Sequence, residues 1–333
     1  MPPERRAAER PAVIHPIPSG TRDVLPDEMR ELRAIVEAMR GVFDARGFGE
    51  VSTPALEYAS VLERAELAEA RPAYRLFDEN GEVLVLRSDM TVPIARLVAS
   101  RYPDADPPLR FCYFAHAWRG VRPQRGQARE FLQAGIELVG APAPEGTAEA
   151  VSLLCAALDA TGLRDYRVGM GDASLYPALL DSHGVADPAR ALILHELATR
   201  DFVGLERELG LAGLGDEEAA LLLRVPQERG GMDVLETTEG PLADAVAGMG
   251  AVSRLLAPDV ASRVIYDFGL SRGLGYYTGA IFEVYDPALG TPIGGGGRYD
   301  ELLGRFGRPL PAVGFAVNVE QVHIALTGEE RRT

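Results

Sequence analysis

The sequence predicts an α+β fold, and three features lead to that class. Residues 110–140 (RFCYFAHAWRGVRPQRGQAREFLQAGIELVG) read as two apolar strands joined by an arginine-rich loop. Residues 26–46 repeat apolar side chains at helical spacing. Residues 173–259, rich in Leu, Ala and Glu at the same spacing, separate two groups of strand-like segments. With 333 residues the chain has material for two domains, or for one large domain with an insertion.

Taken in order, the first helix opens at Pro26, whose fixed φ suits a first turn, with Asp27 and Glu28 at the positive end of the helix dipole. Met29, Leu32, Val36, Met39 and Phe43 then mark one buried face up to Gly47. A short strand around Val51 ends at Pro54. Residues 82–99 (EVLVLRSDMTVPIARLVA) read as a strand closing at Arg87 and a helix from about Thr91. Asp89 and Thr91 sit at that junction, where capping and ligand contact are compatible roles. In the second strand of 110–140, period 2 sets Phe131, Gln133, Gly135 and Glu137 on one face and Leu132, Ala134, Ile136 and Leu138 on the other. The first face is a polar floor, overhung by Arg119, Arg122, Arg125 and Arg129. Guanidinium forks above a carboxylate and an amide suit a small zwitterion or a phosphate, the plain alternative being a solvated hairpin with a basic loop. After the turn-rich APAPEG come a helix over 147–159, a strand over 166–172 and the helical insertion, punctuated by Gly184, Gly210, Gly215, Gly230 and Gly231. Alternation returns over 280–285, behind a loop presenting Arg272, Tyr276 and Tyr277. Four glycines at 294–297 permit close approach of backbone to backbone or ligand but lack the spacing of a dinucleotide or Walker loop. A strand ending near Val317 and a helix from Val319 complete the chain.

Composition narrows the chemistry. All 34 basic residues are arginine, which excludes a Schiff-base lysine, a lysine nucleophile and a phosphate-loop lysine. A net charge of −15 repels polyanions at long range, so nucleic acid is a poor partner. Cys112 and Cys155 have apolar neighbours and are expected in the core. The five histidines lack i,i+4 partners, so no metal site is expected. No apolar run approaches the roughly 20 residues of a membrane span, and the charged opening is no secretion signal, so the expectation is a cytoplasmic protein without membrane contact.

Residues 19–326 resemble the catalytic domain of histidyl-tRNA synthetase, a class II aminoacyl-tRNA synthetase. SGTRDVLP and the following helix are similar to the dimer-forming first motif, and FAHAWRGVRPQRGQAREFLQAGIE to the second. SRGLGYYTG resembles the histidine-specific loop, and GGGGRYDELLGRFGRPLPAVGFAV the third motif region. The resemblance implies a mixed, mainly antiparallel sheet flanked by helices. It implies a histidine site of Asp89, Thr91, Arg119, Gln133, Glu137, Arg272, Tyr276 and Tyr277, with carboxylates toward the amino group, arginines toward the carboxylate or α-phosphate and tyrosines toward the imidazole. Phe131, with Arg119 and Arg272, falls at the nucleotide position, where a vestigial ATP site is expected. The expected organisation is a flexible tail over 1–18, a synthetase-like domain over 19–172 and 260–327, the helical insertion over 173–259, and a tail over 328–333.

Departures from the pattern redirect the function. Val121, Gly275 and Gln321 stand where the synthetase carries glutamate, aspartate and the arginine that grips the γ-phosphate, and Asp89 stands for a glutamate. Replacing that guanidinium by an amide forfeits a charge-assisted bond of about 1.5–3 kcal/mol. The anticodon-binding domain that would follow in a synthetase is not expected. A fold stripped in this way resembles the regulatory subunit of ATP phosphoribosyltransferase. That family implies no catalysis of its own, no cofactor, and homodimers within a hetero-octamer with the catalytic subunit of the short-form transferase. L-Histidine is the implied effector. A truncated enzyme making histidyl-adenylate and a pure assembly scaffold are the alternatives.

Overall fold

The computed structural model describes residues 17–65, 73–120, 128–236, 240–271 and 275–332. Its strands are β1 (Gly49–Glu50), β2 (Leu56–Tyr58), β3 (Arg75–Phe77), β4 (Val83–Leu86), β5 (Leu109–Trp118), β6 (Glu130–Val139), β7 (Arg167–Asp172), β8 (Arg229–Gly230), β9 (Val264–Asp267), β10 (Ala280–Tyr285), β11 (Gly294–Arg298) and β12 (Ala312–Asn318). Its helices are α1 (Pro26–Ala45), α2 (Ala59–Arg64), α3 (Thr91–Arg101), α4 (Glu145–Thr161), α5 (Leu175–Ser182), α6 (Ala189–Thr199), α7 (Phe202–Leu211), α8 (Asp216–Arg224), α9 (Asp233–Glu236), α10 (Ala243–Leu255), α11 (Pro258–Ala261), α12 (Leu302–Arg305) and α13 (Val319–Glu330). Among the described residues nine strands form one sheet in the order β1-β5-β6-β12-β11-β10-β7-β9-β8, and β2, β4 and β3 form a second. Only β1 with β5 and β7 with β9 run parallel, so the large sheet is mainly antiparallel, as expected.

α1 starts as its sequence requires, with Pro26 in the first turn and Asp27 and Glu28 beside it. The buried stripe is Leu32, Ile35, Met39 and Phe43, which corrects the expected face: Met29 is exposed and Val36 only half-buried. The stripe follows the packing partners. α1 lies on α4 and α13, and the Phe43 ring sits 5.9 Å from Phe114 and 6.0 Å from Phe315. Its apolar face is thus consumed inside the chain.

β5 and β6 pair in continuous register from Leu109 opposite Val139 to Trp118 opposite Glu130. One face of β6 is expected to be core and the other a polar floor, and Phe131, Gln133 and Glu137 of that floor are themselves buried. The reason is that α3 and the 276–299 region cover the polar face, while α1 and α4 cover the apolar one. The four glycines form β11, a central strand between β10 and β12. A Cβ on Gly296 would run into the Gly314 carbonyl oxygen of β12, so the close strand approach depends on a bare backbone there.

Residues 173–259 hold mostly helices among the described residues, and they also supply β8, which pairs with β9 at the sheet edge. Their apolar residues, including Leu175, Tyr176, Ile193, Leu205 and Leu222, belong to the same buried cluster as Val151 and Leu154 of α4. The tail expected over 328–333 is corrected: α13 runs to Glu330. Its end is pinned because Glu329 accepts the backbone N–H groups of Arg164 (3.1 Å) and Asp165 (2.7 Å). Most of the tail expected over 1–18 lies outside the described residues. Pro18, at its end, accepts the Thr21 N–H at 3.1 Å.

Two arginine contacts, one from the buried Arg87 and one from the half-buried Arg96, hold the small sheet and α3 in place. Arg87 donates to the carbonyl oxygens of Thr53 (2.6 Å) and His116 (2.8 Å), and Arg96 forks onto the buried Glu57 at 2.6 and 2.9 Å. The His116 bond fixes the Arg87–Thr91 turn against β5, and the Glu57 pair ties α3 to β2.

The strand packing yields a first prediction. Gly296→Ala should destabilise the fold by about 1–3 kcal/mol, as overpacking of a fitted interior does. Urea unfolding should show a lower midpoint with an unchanged slope. Coincident midpoints would mean that β11 and β12 can separate at no cost.

Candidate functional site

Of the expected site residues, Asp89, Thr91, Arg119, Gln133 and Tyr276 meet on the face of the sheet opposite α1 and α4. A cleft of about 1060 Å³ opens there, with Asp89, Thr91, Tyr113, Arg119, Phe131, Gln133 and Tyr276 on its walls. In register, Gly314, Ala316 and Asn318 of β12 stand opposite Glu137, Gly135 and Gln133 of β6. The Glu137 carboxyl occupies the space over Gly314 and the Tyr113 ring that over Gly135, while Ala316 and Asn318 line the cleft.

Glu137 lies one layer below the wall and is 1% exposed. Thr91 Oγ1 donates to its Oε1 at 2.7 Å, and the Tyr299 hydroxyl donates to Oε2. Burial pushes its carboxyl up to about 8; the two hydroxyls pull down against that, and Asp89 pushes further up. Burial together with the Glu137 carboxylate in turn drives the Tyr299 and Tyr113 hydroxyls well above the ordinary phenol range. Gly314 is required beside this group, since a Cβ there would overlap Glu137 Oε2.

Gln133 is 6% exposed and lines the cleft, and among the described residues its Oε1 meets no hydrogen-bond donor. A buried amide oxygen left in this way costs about 1–3 kcal/mol unless a bound molecule donates to it. Arg119 stacks its guanidinium 4.7 Å from the Phe131 ring centroid, and its backbone N–H donates to Arg129 O at 2.9 Å. Tyr276 is buried on the wall, with Tyr277 4.8 Å and Tyr299 5.7 Å away between ring centroids. Tyr277 is not on the wall: its ring is tilted 57° against that of Tyr276 and fills the space above Gly297. Arg272, Arg122 and Arg125 lie outside the described residues.

Gln321 is held at the cleft rim. With its amide oriented to satisfy both ends, the nitrogen donates to Pro292 O at 2.7 Å and the oxygen accepts from Thr291 Oγ1 at 3.1 Å. Its own backbone N–H caps onto Asn318 Oδ1 at 3.0 Å. Among the described lining residues, the carboxylates Glu28, Asp89, Glu130, Glu283 and Glu320 outnumber the arginines Arg22, Arg119 and Arg331. Such walls favour a cationic or zwitterionic ligand over a polyphosphate.

The sequence reading missed Tyr113, Tyr299, Glu283 and Glu320. Tyr299 sits within the quoted GGGGRYD, yet its tie to Glu137 spans 162 residues and left no local pattern. Glu320 accepts the Leu132 N–H at 3.1 Å and ties α13 to β6. Among the described residues no group of three or more His, Cys, Asp or Glu side chains is placed to hold a metal ion.

A pH dependence follows from Glu137. Its folded value of about 8 lies above an ordinary glutamate, so the fold binds the extra proton between about pH 4.5 and 8. Its stability contribution is complete below that window and is lost as pH rises through about 8. Glu137→Gln should therefore flatten the fall in stability between pH 6 and 9, with a gain over wild type at pH 9 on the order of a few kcal/mol. Parallel pH profiles for the two proteins in chemical denaturation would refute it.

The histidyl-tRNA synthetase family model matches residues 20–322. A curated ATP phosphoribosyltransferase regulatory subunit from Symbiobacterium thermophilum is 41% identical over 326 residues, covering 93% of this chain and 79% of that protein. One from Desulforamulus reducens is 40% identical over 313 residues, covering 92% and 78%. Among solved structures, an ATP phosphoribosyltransferase regulatory subunit/histidyl-tRNA synthetase from Bacillus halodurans superimposes with a TM-score of 0.84 at 32% identity, covering 95% of this chain and 84% of that one. The sheet order, the cleft and these matches agree: the chain belongs to the histidyl-tRNA synthetase family, on its branch of ATP phosphoribosyltransferase regulatory subunits.

Proposed function

We propose that this chain is the non-catalytic regulatory subunit of a short-form ATP phosphoribosyltransferase, acting at the first step of histidine biosynthesis, and that its cleft binds L-histidine as feedback effector. The observation that carries the reading is Gln321. The side chain at the γ-phosphate position is a neutral amide already committed to Thr291 and Pro292, so it has no charge to offer a triphosphate. The amino-acid end of the cleft keeps its chemistry. Asp89 and Thr91, with Glu137 behind them, suit an ammonium group; Arg119 suits a carboxylate; Tyr276 suits an imidazole ring; and the Gln133 oxygen awaits a donor. The arrangement therefore favours binding an amino acid over activating it.

Regulation then works through the partner. Histidine shifts the transferase only if it binds two states of the assembly with different affinity, and a coupling of about 1–3 kcal/mol gives partial inhibition rather than an all-or-none switch. The assembly is a cytoplasmic hetero-octamer built on homodimers of this chain. With the α1 stripe buried internally, the two-fold contact falls to other surfaces, and among the described residues the edge strand β1 and the exposed Leu56, Tyr58 and Phe77 of the small sheet favour that side of the molecule.

Mixing the purified chain with a short-form catalytic subunit should raise transferase turnover and give one larger species in sedimentation, and histidine should lower the rate. Separate sedimentation with unchanged turnover would refute the role. Histidine-dependent pyrophosphate exchange at about 1 per second or faster by the chain alone would favour the activating enzyme instead. Within the cleft, Gln133→Leu should weaken histidine binding by about 1–3 kcal/mol in calorimetry, because the partner donor is left unmet.

A further inference from the structure

The Glu137 carboxyl is buried, and among the described residues its hydrogen-bond partners are two hydroxyls and no cation. From α3 and the turn before it, Thr91 donates a hydroxyl hydrogen bond at 2.7 Å, and Asp89, itself buried, adds a second carboxyl. From β5, Phe111 stands opposite in register, and Tyr113 is buried nearby. From β12 the neighbour is Gly314, whose missing side chain makes the room. From the turn after β11, Tyr299 donates its hydroxyl, backed by the ring of Tyr276. Among these groups the one other acid has the same sign as Glu137, and none is a base. Burial and a like charge both favour the neutral acid. A hydroxyl such as Thr91 can serve either form, donating to a carboxylate or accepting from a carboxylic acid.

We propose that the cleft exchanges a proton for its ligand: Glu137 is a neutral carboxylic acid before the ligand arrives and a carboxylate once an α-ammonium group docks beside Asp89 and Thr91. The O–H bond of the acid breaks, its proton leaves to solvent, and the resulting carboxylate is compensated by the ammonium charge. One proton is released per ligand taken up. The inference rests on reading the cleft as an amino-acid site, and it adds a regulatory consequence: ligand affinity falls as the solution becomes more acidic, at a pH where a free glutamate would no longer titrate.

The test is calorimetric titration of L-histidine into the full chain in buffers of different ionisation enthalpy. With the carboxyl near 8, wild type should release close to one proton per histidine at pH 7 and far less at pH 9. Its affinity should fall about fivefold from pH 8 to pH 7, whereas Glu137→Gln should bind without that release and with little pH dependence. Binding by wild type with no buffer dependence at pH 7 would overturn the proton exchange while leaving the amino-acid site intact. The absence of any histidine binding by equilibrium dialysis would overturn both. Should Glu137→Gln fail to bind or fold, the infrared difference spectrum of wild type decides: loss of a protonated-carboxyl band on adding histidine supports the exchange, and an unchanged band refutes it.

Discussion

A carboxyl group removed from water must be solvated by the protein itself, and the arrangement around Glu137 is the constraint on which the cleft depends. Thr91 and Tyr299 supply the hydrogen bonds, so the start of α3 and the turn after β11 are both fixed relative to β6. Gly314 supplies the space, so the β6–β12 pair tolerates no side chain opposite the carboxyl. Arg87 holds the turn carrying Asp89 by bonding to Thr53 and His116 carbonyl oxygens. Each of these contacts joins segments far apart in sequence, which makes the site a product of the whole sheet and not of one loop.

The same geometry sorts ligands by charge. Desolvating a carboxylate such as that of Glu137 is unfavourable, and a ligand that brings a cation relieves the cost; one that brings phosphates adds to it. With five carboxylates against three arginines on the described walls, and with Gln321 turned into the rim, the described part of the cleft meets a polyphosphate on unfavourable terms. Arg119 over Phe131 survives as a stacking pair that can serve a carboxylate as readily as a nucleotide.

Much of this was legible in the sequence where side chains report their own environment. Pro26 with Asp27 and Glu28 marks a helix start, and β5, β6 and β7 are long enough for period 2 to show. The second strand's polar face, Gln133 and Glu137 above all, pointed to the pocket. What stayed hidden lacked local signal. β11 is a strand of four glycines and an arginine, with almost no side chains to alternate, and β2, β3 and β4 are three or four residues each. The choice of Ile35 over Val36 in the α1 stripe depends on how α4 and α13 approach, which periodicity alone leaves open. Tyr277 reads like its neighbour Tyr276, yet in the loop before β10 Tyr276 lines the cleft and Tyr277 packs over Gly297, a difference set by tertiary contact that the sequence does not carry.

The helical insertion is joined to the cleft by more than chain connectivity. Glu283, on the cleft wall, accepts a hydrogen bond from the Tyr285 hydroxyl at 2.6 Å, and Arg200 donates to that hydroxyl at 3.1 Å. Arg200 holds a left-handed backbone conformation (φ 58°) between α6 and α7, which costs a non-glycine residue about 1–2 kcal/mol. The neighbouring helices also share their apolar cluster with α4 beneath the sheet. A close-packed core of this kind transmits a displacement instead of absorbing it. A ligand that changes the charge balance on the cleft wall therefore acts on a surface mechanically continuous with α6 and α7, where Val203 and Leu211 stand exposed. Continuity sets where two states of the molecule can differ; the free energy that separates them has to come from the ligand's unequal affinity for each.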